Sequence, residues 1–123
     1  MDPKRPLDSL DLLAQLIRDP AGDAVATLGE AGTNTQWLLE TLDGRRLGGD
    51  PRGVSSEVNA VIEKAYALSQ DFHQPSVDWM HVLLAMVMLG SASVAYLEEA
   101  GTDKQRLAAI LRQRLQVRRK EIN

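Results

Sequence analysis

Val25-Ala26-Thr27-Leu28-Gly29-Glu30-Ala31-Gly32-Thr33-Asn34-Thr35-Gln36-Trp37-Leu38-Leu39-Glu40-Thr41-Leu42 and Val94-Ala95-Tyr96-Leu97-Glu98-Glu99-Ala100-Gly101-Thr102-Asp103-Lys104-Gln105-Arg106-Leu107-Ala108-Ala109-Ile110-Leu111 align without a gap and agree at ten of eighteen positions. Internal self-similarity of this kind marks a duplicated structural unit. Each copy reads as helix, stop, helix. Leu28 or Leu97 belongs to the first helix, and Gly32 or Gly101 takes the left-handed conformation that closes it. Thr33 or Thr102, or the Asn34 or Asp103 that follows, then caps the next helix. Leu38 and Leu42, like Leu107 and Leu111, form an i, i+4 stripe that faces a core.

Working outward, an apolar helix precedes each copy: Leu10 to Ile17 in the first half and Trp79 to Leu89 in the second. Leu12-Leu13-Ala14 aligns with Leu83-Leu84-Ala85 once a two-residue difference is allowed. Asp19-Pro20 and Gly90-Ser91 end these helices. Between the halves, Asp43 to Gly53 holds four Gly and one Pro in eleven residues, the composition of a linker. A helix over 56–70 follows, with Val58, Ile62, Ala65 and Leu68 or Ser69 on one stripe, and Asp71 to Pro75 turns the chain into the Trp79 helix. The expected boundaries are a first repeat at 7–42, a linker at 43–54, a second repeat at 55–118 and a basic tail at 112–120. The fold class is all-α: two pseudo-twofold-related helical repeats, three plus four helices, in one compact bundle. The second half has helices near 56–70, 79–89, 91–100 and 103–119, whereas the first lacks the partner of the 56–70 helix and is expected to leave an apolar face uncovered.

Composition agrees. The 123 residues suit one domain, and 44% hydrophobic residues with only one Phe, two Tyr and two Trp favour helix over strand. The absence of Cys excludes disulfide scaffolds, thiolate metal sites and thiol nucleophiles. No long apolar run follows the basic residues near the N-terminus, so no signal peptide is read and a cytoplasmic location is expected. The segment Trp79 to Leu89 is far shorter than the roughly 20 residues of a membrane span. Net charge is −3, yet residues 104 to 120 carry seven basic residues and no acid, while residues 1 to 103 carry sixteen acidic and seven basic ones.

The chain resembles the N-terminal domain of the Clp family of AAA+ unfoldases. The residues that carry the resemblance are His81-Val82-Leu83-Leu84-Ala85-Met86-Val87, similar to the family's His followed by a Leu-rich run, and Ala100-Gly101-Thr102-Asp103, similar to its helix junction. The order of helices from about residue 9 to 116 is also similar. Val54-Ser55-Ser56-Glu57 after the Gly-rich linker is nearest the disaggregase and type VI secretion branches, ClpB and ClpV. The chain departs from the family in lacking the first helix of the first repeat, in carrying Ser9-Leu10 where the motif has Glu-His, and in placing Met80 where the second repeat has Glu. The resemblance implies a module that binds substrate, adaptor or helical peptide for a Clp-type ATPase. The alternative is a regulatory or structural homo-oligomer that uses the incomplete first repeat as its interface.

No catalytic machinery is visible. Only His73 and His81 offer imidazoles, and no H-E-x-x-H, G-x-S-x-G or G-x-x-x-x-G-K-[ST] string accompanies them. His81 reads as a core or cap histidine bonded to backbone, with a partner contact as the other reading. Trp37 is either an exposed anchor or cover for the incomplete half, Trp79 reads as structural, and Met80, Met86 and Met88 as core or as an adaptable binding surface. The candidate partner contacts are Trp37, Leu10, Leu13, Phe72, Trp79, Met80 and His81. No metal or cofactor is expected: Asp8, Asp11, Asp19 and Asp23 read as helix capping and solubility. Arg112, Arg114, Arg118, Arg119 and Lys120 would serve a nucleic-acid contact, which the acidic body disfavours.

Overall fold

Two tight turns of identical construction meet face to face and join the halves of the molecule. In the computed structural model, which describes residues 9–18, 23–44 and 56–122, the first turn follows Leu28 and the second follows Leu97. At each, the N–H of the residue after glycine reaches five residues back, Thr33 to the Leu28 carbonyl at 3.0 Å and Thr102 to the Leu97 carbonyl at 2.9 Å. The glycine N–H groups reach three back, Gly32 to Gly29 at 3.1 Å and Gly101 to Glu98 at 3.0 Å. This pair of bonds is the Schellman closure, and it needs a positive φ at the glycine. Gly32 has φ 92° and Gly101 has φ 94°.

The turns also bond to each other reciprocally. Asn34 N–H donates to the Ala100 carbonyl at 2.7 Å, and Asp103 N–H donates to the Ala31 carbonyl at 3.0 Å. Both are relations of one copy's residue to its counterpart's neighbour, the signature of a local twofold axis. Asn34 and Asp103, rather than the threonines, are the helix caps: the Asn34 side chain accepts from Trp37 N–H at 3.0 Å and the Asp103 side chain from Arg106 N–H at 3.1 Å. Thr33 and Thr102 turn inward, are 7% and 8% exposed, and bond to each other on the axis.

Seven α-helices and no strand occur among the described residues: α1 Ser9–Arg18, α2 Asp23–Glu30, α3 Thr35–Gly44, α4 Ser56–Asp71, α5 Trp79–Leu89, α6 Ala92–Glu99 and α7 Lys104–Ile122. Three belong to the first repeat and four to the second, as the sequence predicts. The region expected to be a linker lies outside the described residues except that α3 runs to Gly44. Among the described residues no single helix is long and apolar enough to cross a membrane.

Helix α5 is the centre, packed on α4 and α7 along its length and touched by α1 and α6. It contributes Met80, His81, Leu83, Leu84, Ala85 and Met86 to the interior. Leu13, Leu28, Leu38, Leu97, Leu107, Leu111 and Leu115 complete the core with no exposed surface. Each such leucine contributes roughly 1.5–3 kcal/mol by leaving water. The expected stripes Leu38–Leu42 and Leu107–Leu111 both face this core.

One expected stripe is rotated. On α4 the buried residues are Val58, Val61, Ala65, Leu68 and Ser69, while Ile62 is 49% exposed. Neighbouring positions lie about 100° apart around a helix of 3.6 residues per turn, so a single choice between Val61 and Ile62 turns the buried face. The expectation of an uncovered apolar face on the first half is also corrected. The exposed large apolar side chains among the described residues are Ile62, Tyr66, Val77, Met88, Leu89 and Val117, all in the second half. In the first half Leu10, Leu12, Leu16 and Leu39 are half-buried and pack against the core.

The start of α6 is capped by other helices. Its N-cap residue Ser91 makes no side-chain cap bond. Instead the Glu57 carboxylate of α4 accepts from Ala92 N–H at 3.1 Å, and the Ser9 hydroxyl of α1 accepts from Ser93 N–H at 3.3 Å. Free N–H groups at a helix start must be satisfied by some acceptor, and here the partners come from both halves.

Candidate functional site

A groove of about 630 Å³ opens where α2, α7 and the first turn of α5 come together. One wall is a single face of α2, made by Asp23, Ala26 and Glu30 at positions i, i+3 and i+7. The opposite wall is a face of α7, with Ile110, Arg114 and Val117 at i, i+4 and i+7. Trp79 and Met80 line it from the start of α5. The volume falls within the roughly 300–1,000 Å³ typical of ligand pockets.

One ion pair bridges the two walls of the groove. The Arg114 guanidinium donates to the Glu30 carboxylate and to the Thr27 hydroxyl, tying α7 to α2. The Arg114 and Glu30 side chains remain 40% and 50% exposed, so the pair is solvent-screened and contributes at most about 1 kcal/mol. It occupies the Glu30 carboxylate and leaves Asp23 as the carboxylate at the other end of that α2 face.

The α5 end of the groove is rigid because of a reciprocal cap. The Asp78 side chain accepts from Met80 N–H at 2.9 Å, and the His81 Nδ1 accepts from Asp78 N–H at 2.9 Å. This is a capping box with histidine in the position usually held by Glu or Gln. Accepting at Nδ1 requires the neutral ring to carry its hydrogen on Nε2. Nε2 is buried with no hydrogen-bond partner, and burial pushes the His81 pKa below its ordinary value.

Of the seven candidate partner contacts read from the sequence, the groove brings together only Trp79 and Met80. Met80 is 4% exposed and reaches the groove from the core, while Trp79 is half-buried beside it. Leu13 and His81 have no exposed surface; both are interior residues in this fold, and His81 has the backbone-bonded cap role read from sequence. Leu10, Trp37 and Phe72 are half-buried against the core on other parts of the molecule. Trp37 therefore covers the core of the incomplete half. His73, exposed, sits at φ 55° in the turn after α4.

The residues that sequence reasoning missed are those of the two walls. Asp23 was expected to serve capping and solubility, and Arg114 to be available to a nucleic acid; Arg114 is instead paired with Glu30. The only local signals were the i, i+3, i+7 spacing of Asp23, Ala26 and Glu30 and the apolar stripe of Ile110 and Val117 within a basic helix. Among the described residues no cluster of His, Asp and Glu is arranged to hold a metal ion.

No family model matches the chain, and no curated protein does. Seven chains of solved structures match it. One, from structural investigations of a malarial protein secretion system, superposes with a TM-score of 0.70 at 21% identity, covering 89% of this chain and 79% of that one. At that identity the likeness shows the fold, an all-helical bundle.

Proposed function

We propose that this chain is a protein-recognition domain that docks a short helical segment of another protein between α2 and α7, without chemical turnover. The observation that carries the reading is the groove itself: two helix faces at i, i+3/i+4, i+7 spacing flank an apolar bed that includes Trp79 and Met80. That is the geometry by which amphipathic helices are captured, with a half-buried aromatic of the kind that anchors interfaces. The resemblance to the Clp N-terminal domain supports the same role, that of delivering substrate or adaptor to an unfoldase or secretion ATPase in the cytoplasm. The solved neighbour drawn from a protein secretion system is compatible with that setting. The alternative, a homo-oligomer closing over the first half, finds no exposed large apolar side chain of that half among the described residues.

The test is a peptide selection against the wild-type domain, with re-assay of the winners on Ala26→Trp. Ala26 is exposed on the α2 wall, so the indole fills the groove without entering the core. Winners that lose affinity for the variant by tenfold or more support the reading. Winners that bind both forms alike, with circular dichroism showing an unchanged fold, place recognition elsewhere.

A further inference from the structure

The charges around the groove indicate the kind of helix it takes. Asp23 and Glu30 lie on one face of α2, seven residues and hence about 10 Å apart. Both are exposed, and both border the groove. Glu30 is neutralised by Arg114, the only cation among the described residues that line the groove. Among the described residues no cation pairs with Asp23. The groove thus has a balanced end, an apolar middle and an anionic end. Over the whole chain seventeen acidic side chains stand against fourteen basic ones, a net charge of −3 that modestly favours cations.

Resting on the recognition reading above, we infer that the groove's occupant is an amphipathic helix of a partner protein whose apolar stripe is flanked by a lysine or arginine, and that this cation pairs with Asp23. The apolar stripe contacts Ile110, Val117 and Trp79, and the basic residue sits about two helical turns from the Arg114–Glu30 strut, which fixes the orientation of the bound helix. A segment of opposite charge is rejected because its carboxylate would face Asp23 in a partly desolvated site, while Arg114 is already committed to Glu30 and Thr27. Charge complementarity thereby selects among helices that would otherwise be equally apolar.

The experiment uses the whole 123-residue chain, ¹⁵N-labelled, and three synthetic alanine-based peptides of about 15 residues, long enough to be helical in water. The first carries leucines at i, i+4 and i+7 flanked by one lysine, the second has glutamate for that lysine, and the third has serines for the leucines. The expected result is chemical-shift change in Ala26, Gln113, Val117 and the Trp79 indole, with the lysine peptide binding about tenfold more tightly than the glutamate peptide and the serine peptide not at all. Asp23→Asn should erase the lysine preference while the leucine peptides still bind, and Asp23→Lys should invert it. Equal binding of lysine and glutamate peptides in the groove overturns the inference and leaves the recognition reading intact. A preference for glutamate overturns it in favour of Arg114 as the anchor. Absence of groove shifts with every peptide overturns both.

Discussion

The hydroxyl oxygens of Thr33 and Thr102 lie 2.5 Å apart inside the molecule, although 69 residues separate them along the chain. They occupy equivalent places in the two copies, so the contact sits on the local twofold axis and each residue is its partner's image. A hydroxyl both donates and accepts, which lets two identical groups satisfy each other where two carbonyls or two amides of one orientation could not.

Replacing one threonine by valine keeps the shape and strands the other hydroxyl away from water. Thr33→Val or Thr102→Val should each cost about 1–3 kcal/mol, whereas the double variant should recover a large part of that loss. Urea denaturation of the four proteins in a double-mutant cycle measures it. Additive losses would show that the two hydroxyls do not depend on each other.

Gly32 and Gly101 are constrained twice over. A Cβ on Gly32 would stand 3.2 Å from the Gly101 carbonyl oxygen, and one on Gly101 would stand 3.1 Å from that of Gly32. The φ values of 92° and 94° are adverse to any side chain besides. Gly32→Ala and Gly101→Ala should each destabilise by more than about 1 kcal/mol, read as a fall in the urea midpoint. Gly29, with nothing within 4 Å of an added Cβ, is the control: Gly29→Ala in the last turn of α2 should stabilise by up to about 0.5–1 kcal/mol.

His81 makes stability depend on pH. Its folded-state pKa is lowered by burial from the ordinary 6.5, and protonation at Nδ1 removes the acceptor for Asp78 N–H. The folded state therefore binds the proton less well than the unfolded chain does. The contribution is fully present above pH 6.5 and is lost as pH falls below that value towards the folded pKa. His81→Gln retains a side chain able to close the capping box and should flatten this part of the curve. Thermal unfolding midpoints of both proteins from pH 8 to pH 5 check it, since carboxylate titrations are common to the two. Parallel curves would remove His81 as the cause.

His73 holds a left-handed conformation at φ 55° in the turn after α4, where Gln74 N–H reaches back to the Ser69 carbonyl at 2.8 Å. This is the same closure that uses glycine at residues 32 and 101. His73→Gly should stabilise by about 0.5–1 kcal/mol by relieving the side chain's strain. Since His73 is exposed, a loss of stability on substitution would reveal a contact that the imidazole makes.

The duplication was legible because both copies spell the same local chemistry: a leucine, a glycine that must be left-handed, and an Asn or Asp at the next cap. Such features act within a few residues, so sequence carries them openly. The rotation of α4 was not legible, because Val61 and Ile62 are equally apolar and only packing on α5 separates them. Nor was the groove: its walls come from α2 and α7, whose facing residues Glu30 and Arg114 are 84 positions apart. Taken alone, Asp23, Ala26 and Glu30 are indistinguishable from a solvated helix face. Trp37 stayed open between anchor and cover for the same reason, since only the packing of distant residues around it decides how far it is buried.

The interlocked turns have a practical corollary for how the chain can be cut. What unites the halves is spatial: the reciprocal bonds of residues 31–34 with 100–103, and the seating of α1 on α6 and α2 on α7. The covalent path from α3 to α4 plays no part in those bonds. A protein nicked there, or assembled from two separately expressed pieces, is expected to reassemble through those contacts, with Gly32 and Gly101 at their centre.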